Sequence, residues 1–310
     1  MKKLGIEVTL VDQDADEEEI LKAFRPNTKA LFGETITNPG VCVLDIEKFA
    51  RIAHSQGVPL IIDNTFATPI NCRPFEFGAD IVIHSTTKYM DGHATSIGGC
   101  IVDSGNFDWE AHHDKFPGLT EPDPSYHGLA YSKAFGKKAY IVKATAQLMR
   151  DLGSIPSPMN AFLLNLGLET LHLRVLRHCE NAQKVAEYLQ QRPEVAWVHY
   201  SGLKNDKYHA LAQKYFDGGR SCGVISFGLK GDRSVSEKFM DSLKLVAIVA
   251  HVADARSCVL HPASHSHRQL SDEQLIEAGI QPDLIRLSIG IEDVTDIIAD
   301  IEQALQQAKK

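Results

Sequence analysis

The first hundred residues alternate short apolar runs with amphipathic helical patterns. Strands are predicted at residues 8–11, 30–34, 60–63, 80–84 and 98–102. Several of these runs are apolar at successive positions, which is typical of strands covered by helices on both faces. Asp16 with Glu19 predicts a capped helix reaching about residue 24, and Asp45 predicts a second helix that Gly57 ends. The pattern predicts an α/β fold with a mostly parallel sheet.

The regular alternation of short strands and helices ends after about residue 102. Residues 105–150 are rich in Pro, Gly and aromatic residues, which predicts a long irregular crossing with some helix near its end. Residues 157–190 have a long helical pattern. Shorter strands at 195–199, 223–228 and 284–289 then mix with helices and an amphipathic tail at 294–308. We expect a large domain over residues 1–172 and a smaller α+β domain over residues 173–310.

Composition narrows the classes of function. The 310 residues are 44% hydrophobic and contain no apolar run long enough for a membrane span, so we expect a soluble protein. The net charge of −8 argues against a nucleic-acid partner, because binding to phosphates needs clustered Lys and Arg. The six cysteines show no CxxC spacing, and we recognise no export or organelle leader, so we expect a cytoplasmic protein.

Three polar features follow predicted strands. Asp63 closes the run LIID, Lys88 follows the next apolar run in HSTTKY, and Glu34 with Asn38 leads into the turn of ETITNPG. Taken alone, such an Asp is more often a turn former, and such a Lys is more often a solvated surface charge. Ligands of open α/β sheets bind beyond the carboxyl ends of the strands, so the three features together indicate a site.

These residue types match the requirements of pyridoxal 5′-phosphate (PLP). The cofactor needs an amine for a Schiff base, a carboxylate that keeps its ring nitrogen protonated, and donors for its phosphate. Lys88, Asp63 and the hydroxyls of Ser85 and Thr87 would supply them. A dry pocket beside a cationic ring would lower the pKa of Lys88, as the reaction requires.

Ordered strings over nearly the whole chain resemble the Cys/Met metabolism PLP-dependent family, and within it the O-acetylhomoserine sulfhydrylases. The strings are TITNPG, DNTFATP, HSTTKYMDGH, GGCIVD, SPMNAFLLNLGLETLHLR, HPASHSH and RLSIGIED. The resemblance implies a PLP-dependent transferase of fold type I, similar to aspartate aminotransferase, that assembles as a tetramer. It also implies that Lys88 forms the Schiff base, that Ser85 and Thr87 bind the phosphate, and that Asp63 pairs with the pyridine nitrogen.

The resemblance gives substrate roles to two further residues. Asn38 would lie beside the ring hydroxyl and the substrate carboxylate, and Arg286 would clamp that carboxylate, which suits the two parallel bonds of an Arg–carboxylate pair. The histidines of HPASHSH, which are His261, His265 and His267, have no acidic or cysteine ligand beside them. We therefore expect no metal there, and a loop that borders the substrate pocket instead.

The resemblance implies γ-replacement on an amino-acid substrate, in which sulfide or a thiol displaces acetate. γ-Synthases, γ-lyases and β-lyases of the family use the same core residues, so those activities stay open. His251 and Ala253 stand where sulfhydrylases often show Asn and Gly. The family also carries an N-terminal segment, with a phosphate-binding helix start and a ring-stacking Tyr, that we do not find in this sequence. Weak PLP binding, or a remnant without activity, is therefore the competing hypothesis.

Overall fold

Two sheets form the framework of the structure, a computed structural model that describes residues 2–265, 268–277 and 280–309. The first sheet has the order β1-β2-β3-β4. Its strands are β1 (Leu31–Glu34), β2 (Leu60–Asp63), β3 (Ile81–Ser85) and β4 (Gly99–Asp103). The first three are parallel, and β4 pairs antiparallel with β3. This arrangement confirms the prediction of a mostly parallel sheet.

Both faces of the first sheet are covered. Leu60 and Ile62 pack with the buried face of helix α2 (Ile46–Ser55), which begins after its predicted cap Asp45. The intervening Ile61 packs on the opposite face, in a cluster around Trp109. Because successive strand residues point to opposite faces, a run such as Leu60–Asp63 has to be apolar on both sides.

The second sheet has the order β5-β6-β9-β8-β7 and is antiparallel except between β7 and β8. Its strands are β5 (Val195–His199), β6 (Val224–Leu229), β7 (Ala247–Ile248), β8 (Cys258–Leu260) and β9 (Leu284–Ser288). One face buries residues such as Phe227 and Leu287 in a core with the helices. The other face presents Ser226 and Arg286, which are paired in the register of β6 and β9.

Helices surround and connect the two sheets. Those before the second sheet are α1 (Glu17–Lys22), α2, α3 (Thr68–Asn71), α4 (Pro117–Thr120), α5 (Tyr131–Phe135), α6 (Ala139–Lys143), α7 (Arg150–Leu152), α8 (Pro158–Glu169) and α9 (Leu171–Gln190). Those after it begins are α10 (His209–Tyr215), α11 (Arg233–Asp241), α12 (Asp272–Glu277) and α13 (Val294–Ala308). A π-helical stretch, Ala144–Met149, joins α6 to α7. None of the helices in the described residues is both long and apolar enough to cross a membrane.

Two predictions from the sequence were wrong in detail. Residues 8–11 form no strand, because no neighbouring strand pairs with them, and Val8 and Leu10 are 65% and 90% exposed. The helical pattern of residues 157–190 divides at Thr170, whose backbone is not helical. Near the end of α8, Gly167 packs closely on the loop that carries Lys88, since a Cβ there would lie 2.4 Å from the carbonyl oxygen of Met90. The domain boundary at residues 172/173 stays a prediction.

Candidate active site

The parallel strands bring their carboxyl ends to one edge of the first sheet. Glu34, the last residue of β1, is in register with Asp63, the last residue of β2, and Asp63 is in register with Ile83 of β3. Ser85 ends β3, and Lys88 follows it by one turn. The polar residues predicted to follow strands therefore lie along one edge, as parallel pairing requires.

Asp63 is a half-buried carboxylate with a neighbour of the same charge. Its Oδ1 accepts a hydrogen bond from the backbone N–H of Thr65 at 2.9 Å. Burial raises the pKa of Glu34, a bond from the Asn38 backbone N–H opposes the rise, and the negative charge of Asp63 adds to it. Two acidic groups at one strand edge favour a cation, or a protonated ring nitrogen, as their partner.

Lys88 lies in the loop that joins β3 to β4. Its backbone N–H donates to the carbonyl oxygen of Ser85 at 3.2 Å, and its own carbonyl accepts from the N–H of Gly92 at 2.7 Å. Burial lowers the pKa of the Lys88 ammonium, and the positive charge of Arg286 lowers it further. A lower pKa leaves more of the neutral amine, which is the form that acts as a nucleophile or a base.

The hydroxyl-bearing residues beside Lys88 have structural partners. The Thr87 hydroxyl donates to the Gly98 carbonyl at 3.2 Å and accepts from the Gly98 N–H at 3.0 Å, so it closes the loop that carries Lys88. The backbone N–H of Ser85 donates to the hydroxyl of Thr65 at 2.8 Å. Thr65 belongs to DNTFATP, but the sequence alone gave no reason to single it out. Its contacts tie the end of β2 to the end of β3.

Arg286 reaches the site from the second sheet. Its side chain is 4% exposed, and one guanidinium nitrogen donates to Asn38 Oδ1 at 2.9 Å. The other terminal nitrogen donates to the carbonyl oxygen of His251 at 2.9 Å. The buried Nε has no hydrogen-bond partner within the described residues. Since a buried unpaired donor is costly, this arrangement is suited to an incoming anionic group.

His251 connects Arg286 to Lys88. While its backbone carbonyl binds Arg286, its ring Nδ1 lies 3.4 Å from Lys88 Nζ. The structure thus brings Lys88, Arg286 and Asn38 into one chain of contacts through a histidine. The sequence marked His251 only as a departure from the family pattern.

Sequence reasoning also missed two residues that hold the Lys88 loop. Tyr89 is buried, and its hydroxyl accepts a hydrogen bond from the N–H of Gly223 at 2.9 Å. Arg174 is 5% exposed and donates to carbonyl oxygens of the same loop. The sequence could have indicated that Arg174 is buried, because it lies at helical spacing from Leu171, Val175 and His178 on the buried face of α9.

The histidines of HPASHSH have separate surroundings. Both ring nitrogens of His261 have polar neighbours, which are the Ser264 hydroxyl at 2.8 Å and the Pro282 carbonyl at 2.9 Å. Burial lowers the pKa of His261, which keeps it neutral. His265 contacts the carbonyl oxygen of His261, and His267 lies outside the described residues. Residues 2–265, 268–277 and 280–309 contain no group of three or more His, Cys, Asp or Glu that could hold a metal.

Comparison with known proteins relates the chain to one family of PLP-dependent enzymes. A family model described as Cys/Met metabolism PLP-dependent enzyme matches residues 1–306. An O-acetyl-L-homoserine sulfhydrylase of Leptospira meyeri is 46% identical, over 98% of this chain and 70% of that protein. A homocysteine synthase of Schizosaccharomyces pombe is also 46% identical, over 99% of this chain and 72% of that protein. The chain therefore spans about 70% of the length of these relatives.

Two crystal structures are also similar. One, described as an O-acetylhomoserine (thiol)-lyase from Campylobacter jejuni with a pyridoxyl-lysine-monophosphate, is 40% identical. It superposes with a TM-score of 0.93 over 98% of this chain and 72% of that one. The other, a MetB protein from Corynebacterium glutamicum, is 36% identical and has a TM-score of 0.79 over 98% and 69% of the two chains. Both likenesses extend to the sequence as well as to the fold.

Proposed function

Since the chain belongs to the Cys/Met metabolism PLP-dependent enzyme family, we propose that it catalyses the replacement of acetate in O-acetyl-L-homoserine by sulfide or a thiol. The products would be homocysteine, or methionine when methanethiol is the donor, and acetate. The relatives that carry sulfhydrylase and homocysteine synthase names support this substrate class. Close superposition on the structure described as an O-acetylhomoserine (thiol)-lyase also supports replacement by sulfide, and a cystathionine γ-synthase or γ-lyase activity is the alternative.

The single observation that carries the proposal is the half-buried amine of Lys88 beside the bridge between Arg286 and Asn38. Lys88 would bind the cofactor covalently, Asp63 would pair with its ring nitrogen, and Ser85 with Thr87 would bind its phosphate. Thr87 would have to redirect the hydroxyl proton that it now donates to Gly98. When bound, PLP supplies an electron sink that stabilises negative charge on adjacent substrate carbons.

The residues of the chain would then bind the substrate and move its protons. The Nε and terminal nitrogens of Arg286 would hold the substrate carboxylate, with Asn38 beside it. Once its amine is free, Lys88 Nζ would take the proton from the α carbon and return protons to the substrate later. The lowered pKa of Lys88 suits this work, because a general base acts best when its pKa is near the working pH.

We further propose a cytoplasmic homo-oligomer, the tetramer that the family resemblance implies. Its support is a run of exposed apolar side chains along one segment of the described chain, more than a soluble monomer usually presents. These residues are Leu148, Met149, Leu152, Ile155, Met159, Phe162, Leu166 and Leu173. All six cysteines are free thiols, as a reducing compartment would keep them.

The first experiment is spectroscopic. PLP is added to the purified chain, and visible absorbance is recorded before and after borohydride, together with mass spectrometry of the peptide that contains Lys88. We expect a band and a reduced adduct in the wild type and neither in Lys88→Ala, with Lys204→Ala, an exposed residue, as the matched control. A wild-type protein with no band would favour the remnant without activity.

The second experiment separates the reactions. The loaded protein is supplied with O-acetylhomoserine and sulfide, with cystathionine, or with methionine, and the products are identified by chromatography. Homocysteine and acetate from the first mixture are expected. If cystathionine or methionine is cleaved faster than O-acetylhomoserine is converted, a lyase is the better assignment.

A further inference from the structure

His251 is held against the site by contacts to its backbone. It lies between β7 and β8, and its carbonyl oxygen accepts one hydrogen bond from Arg286 at 2.9 Å and one from the Cys258 thiol at 3.3 Å. Two separate donors on the second sheet therefore hold the backbone from which the ring extends. These contacts place the backbone of His251 beside the site without the help of a ligand.

The ring of His251 faces the amine of Lys88. Lys88 Nζ lies 3.4 Å from Nδ1, and an ammonium group can only donate. When Lys88 is charged, Nδ1 therefore accepts, which places the ring proton on Nε2 in the neutral form. Nε2 is buried and has no partner within the described residues, so this tautomer leaves it as an N–H donor available to a polar ligand atom.

The charges around the ring keep it in the accepting state. Burial lowers the pKa of His251, and the positive charges of Lys88 and Arg286 lower it further, while Asp254 and Asp91 act in the opposite direction. At neutral pH the imidazole is accordingly uncharged. The groups that face Lys88 in turn are Arg286 and Cys258, besides His251 itself.

We propose that His251 is a positioning residue for Lys88, whose free amine donates a hydrogen bond to its Nδ1. The catalytic consequence rests on the proposed function, in which the amine must stay within reach of the substrate between two proton transfers. A lysine side chain is a flexible stem of four carbons, and without a fixed acceptor its amine samples many positions. His251 supplies that acceptor from a different sheet.

The test uses the protein without PLP or substrate. Lys88 is labelled with a trace of acetic anhydride at a series of pH values, and its modification is quantified by mass spectrometry relative to the exposed Lys204. His251→Leu should lower the apparent pKa of Lys88 by about one unit, because the charged amine loses an acceptor. His251→Asn, which keeps an acceptor oxygen, should restore the wild-type value to within a few tenths. His172→Leu, an exposed histidine on α9, is the matched control and should change nothing.

An unchanged or raised pKa in His251→Leu overturns the proposal, as does an Asn variant that behaves like the Leu variant. A second measurement does not depend on folding of the His251 variants. In NMR titrations, Lys88→Met should raise the pKa of His251, because a positive neighbour is removed, and an unmoved titration overturns the proposal as well. Neither measurement requires PLP or turnover, so its failure is distinguishable from failure of the proposed function.

Discussion

Arg174 holds the peptide that follows Lys88, donating from its guanidinium to the carbonyl oxygen of Tyr89 at 2.8 Å. The same side chain donates to the Gly167 carbonyl at 2.7 Å and to the Thr170 hydroxyl at 3.1 Å. One buried cation thus ties the loop of the reactive lysine to the junction between α8 and α9. The position of the amine depends on a helix 85 residues further along the chain.

Removing this guanidinium should destabilise the protein. Arg174→Ala leaves buried carbonyl oxygens without donors, which should reduce the free energy of unfolding by about 2 kcal/mol or more. Arg174→Lys should recover only part of that loss, because one ammonium cannot reach the Tyr89 carbonyl, the Gly167 carbonyl and the Thr170 hydroxyl together. Urea unfolding followed by circular dichroism measures both. Arg177→Ala, which removes an exposed ion pair to Glu180, is the control, and an equal loss in the control would contradict the prediction.

Because Gly92 has no side chain, the guanidinium of Arg174 can pack directly against its backbone. Its φ is +73°, and a Cβ there would lie 2.2 Å from a terminal nitrogen of Arg174. Gly92→Ala should therefore destabilise the protein by about 2 kcal/mol or more, from backbone strain together with the clash. Gly153→Ala isolates the strain, since its φ is +69° but no atom lies within 4 Å of its Cβ. Urea midpoints that coincide for the two variants would rule out the clash.

The bridge between Arg286 and Asn38 leads to a kinetic prediction. Arg286→Lys should lower kcat/KM for O-acetylhomoserine by about a hundredfold, because a single ammonium replaces the planar pair of donors facing the substrate carboxylate. PLP absorbance should stay at the wild-type level, which serves as the internal control for folding. Steady-state kinetics with sulfide in excess provide the measurement. A loss below threefold would mean that the carboxylate binds elsewhere.

Buried His178 should make stability depend on pH. Burial lowers its pKa from the ordinary value of 6.5 to about 4, partly opposed by its bond to the carbonyl oxygen of Ile289. Between these values the unfolded chain binds the proton more readily, so the free energy of unfolding falls as pH drops from about 6.5 to about 4. The full loss would be about 3 kcal/mol. His178→Asn should show a shallower fall when urea unfolding is measured at pH 7, 6 and 5, whereas identical slopes would refute this assignment.

The parts of the site that depend on parallel strands could be predicted from the sequence. Apolar runs that are buried on both faces have few alternatives, and strand β2 begins and ends at the predicted residues. Once the strands are parallel, Asp63 and Lys88 must approach the same edge of the sheet. The amphipathic tail α13 also begins and ends as predicted, because its helical period is uninterrupted.

Contacts across long stretches of chain could not be predicted in this way. His251 approaches Lys88 from 163 residues away, and no local pattern specifies that distance. The close packing of Gly167 against Met90 and Asp91, near the break between α8 and α9, is likewise a contact that the helical pattern does not reveal. The strand expected at residues 8–11 was wrong for the converse reason, since a local pattern forms a strand only where another strand pairs with it.

Asn38 and Arg286 are 248 positions apart in the chain, yet their side chains are directly bonded. A substrate carboxylate captured there would act as a reversible crosslink between the two sheets. Ligands that bind only the native state stabilise it by an amount that rises with the logarithm of the free ligand concentration, once that concentration exceeds the dissociation constant. The resistance of this enzyme to heat and to proteases would then rise and fall with the supply of its own amino-acid substrate.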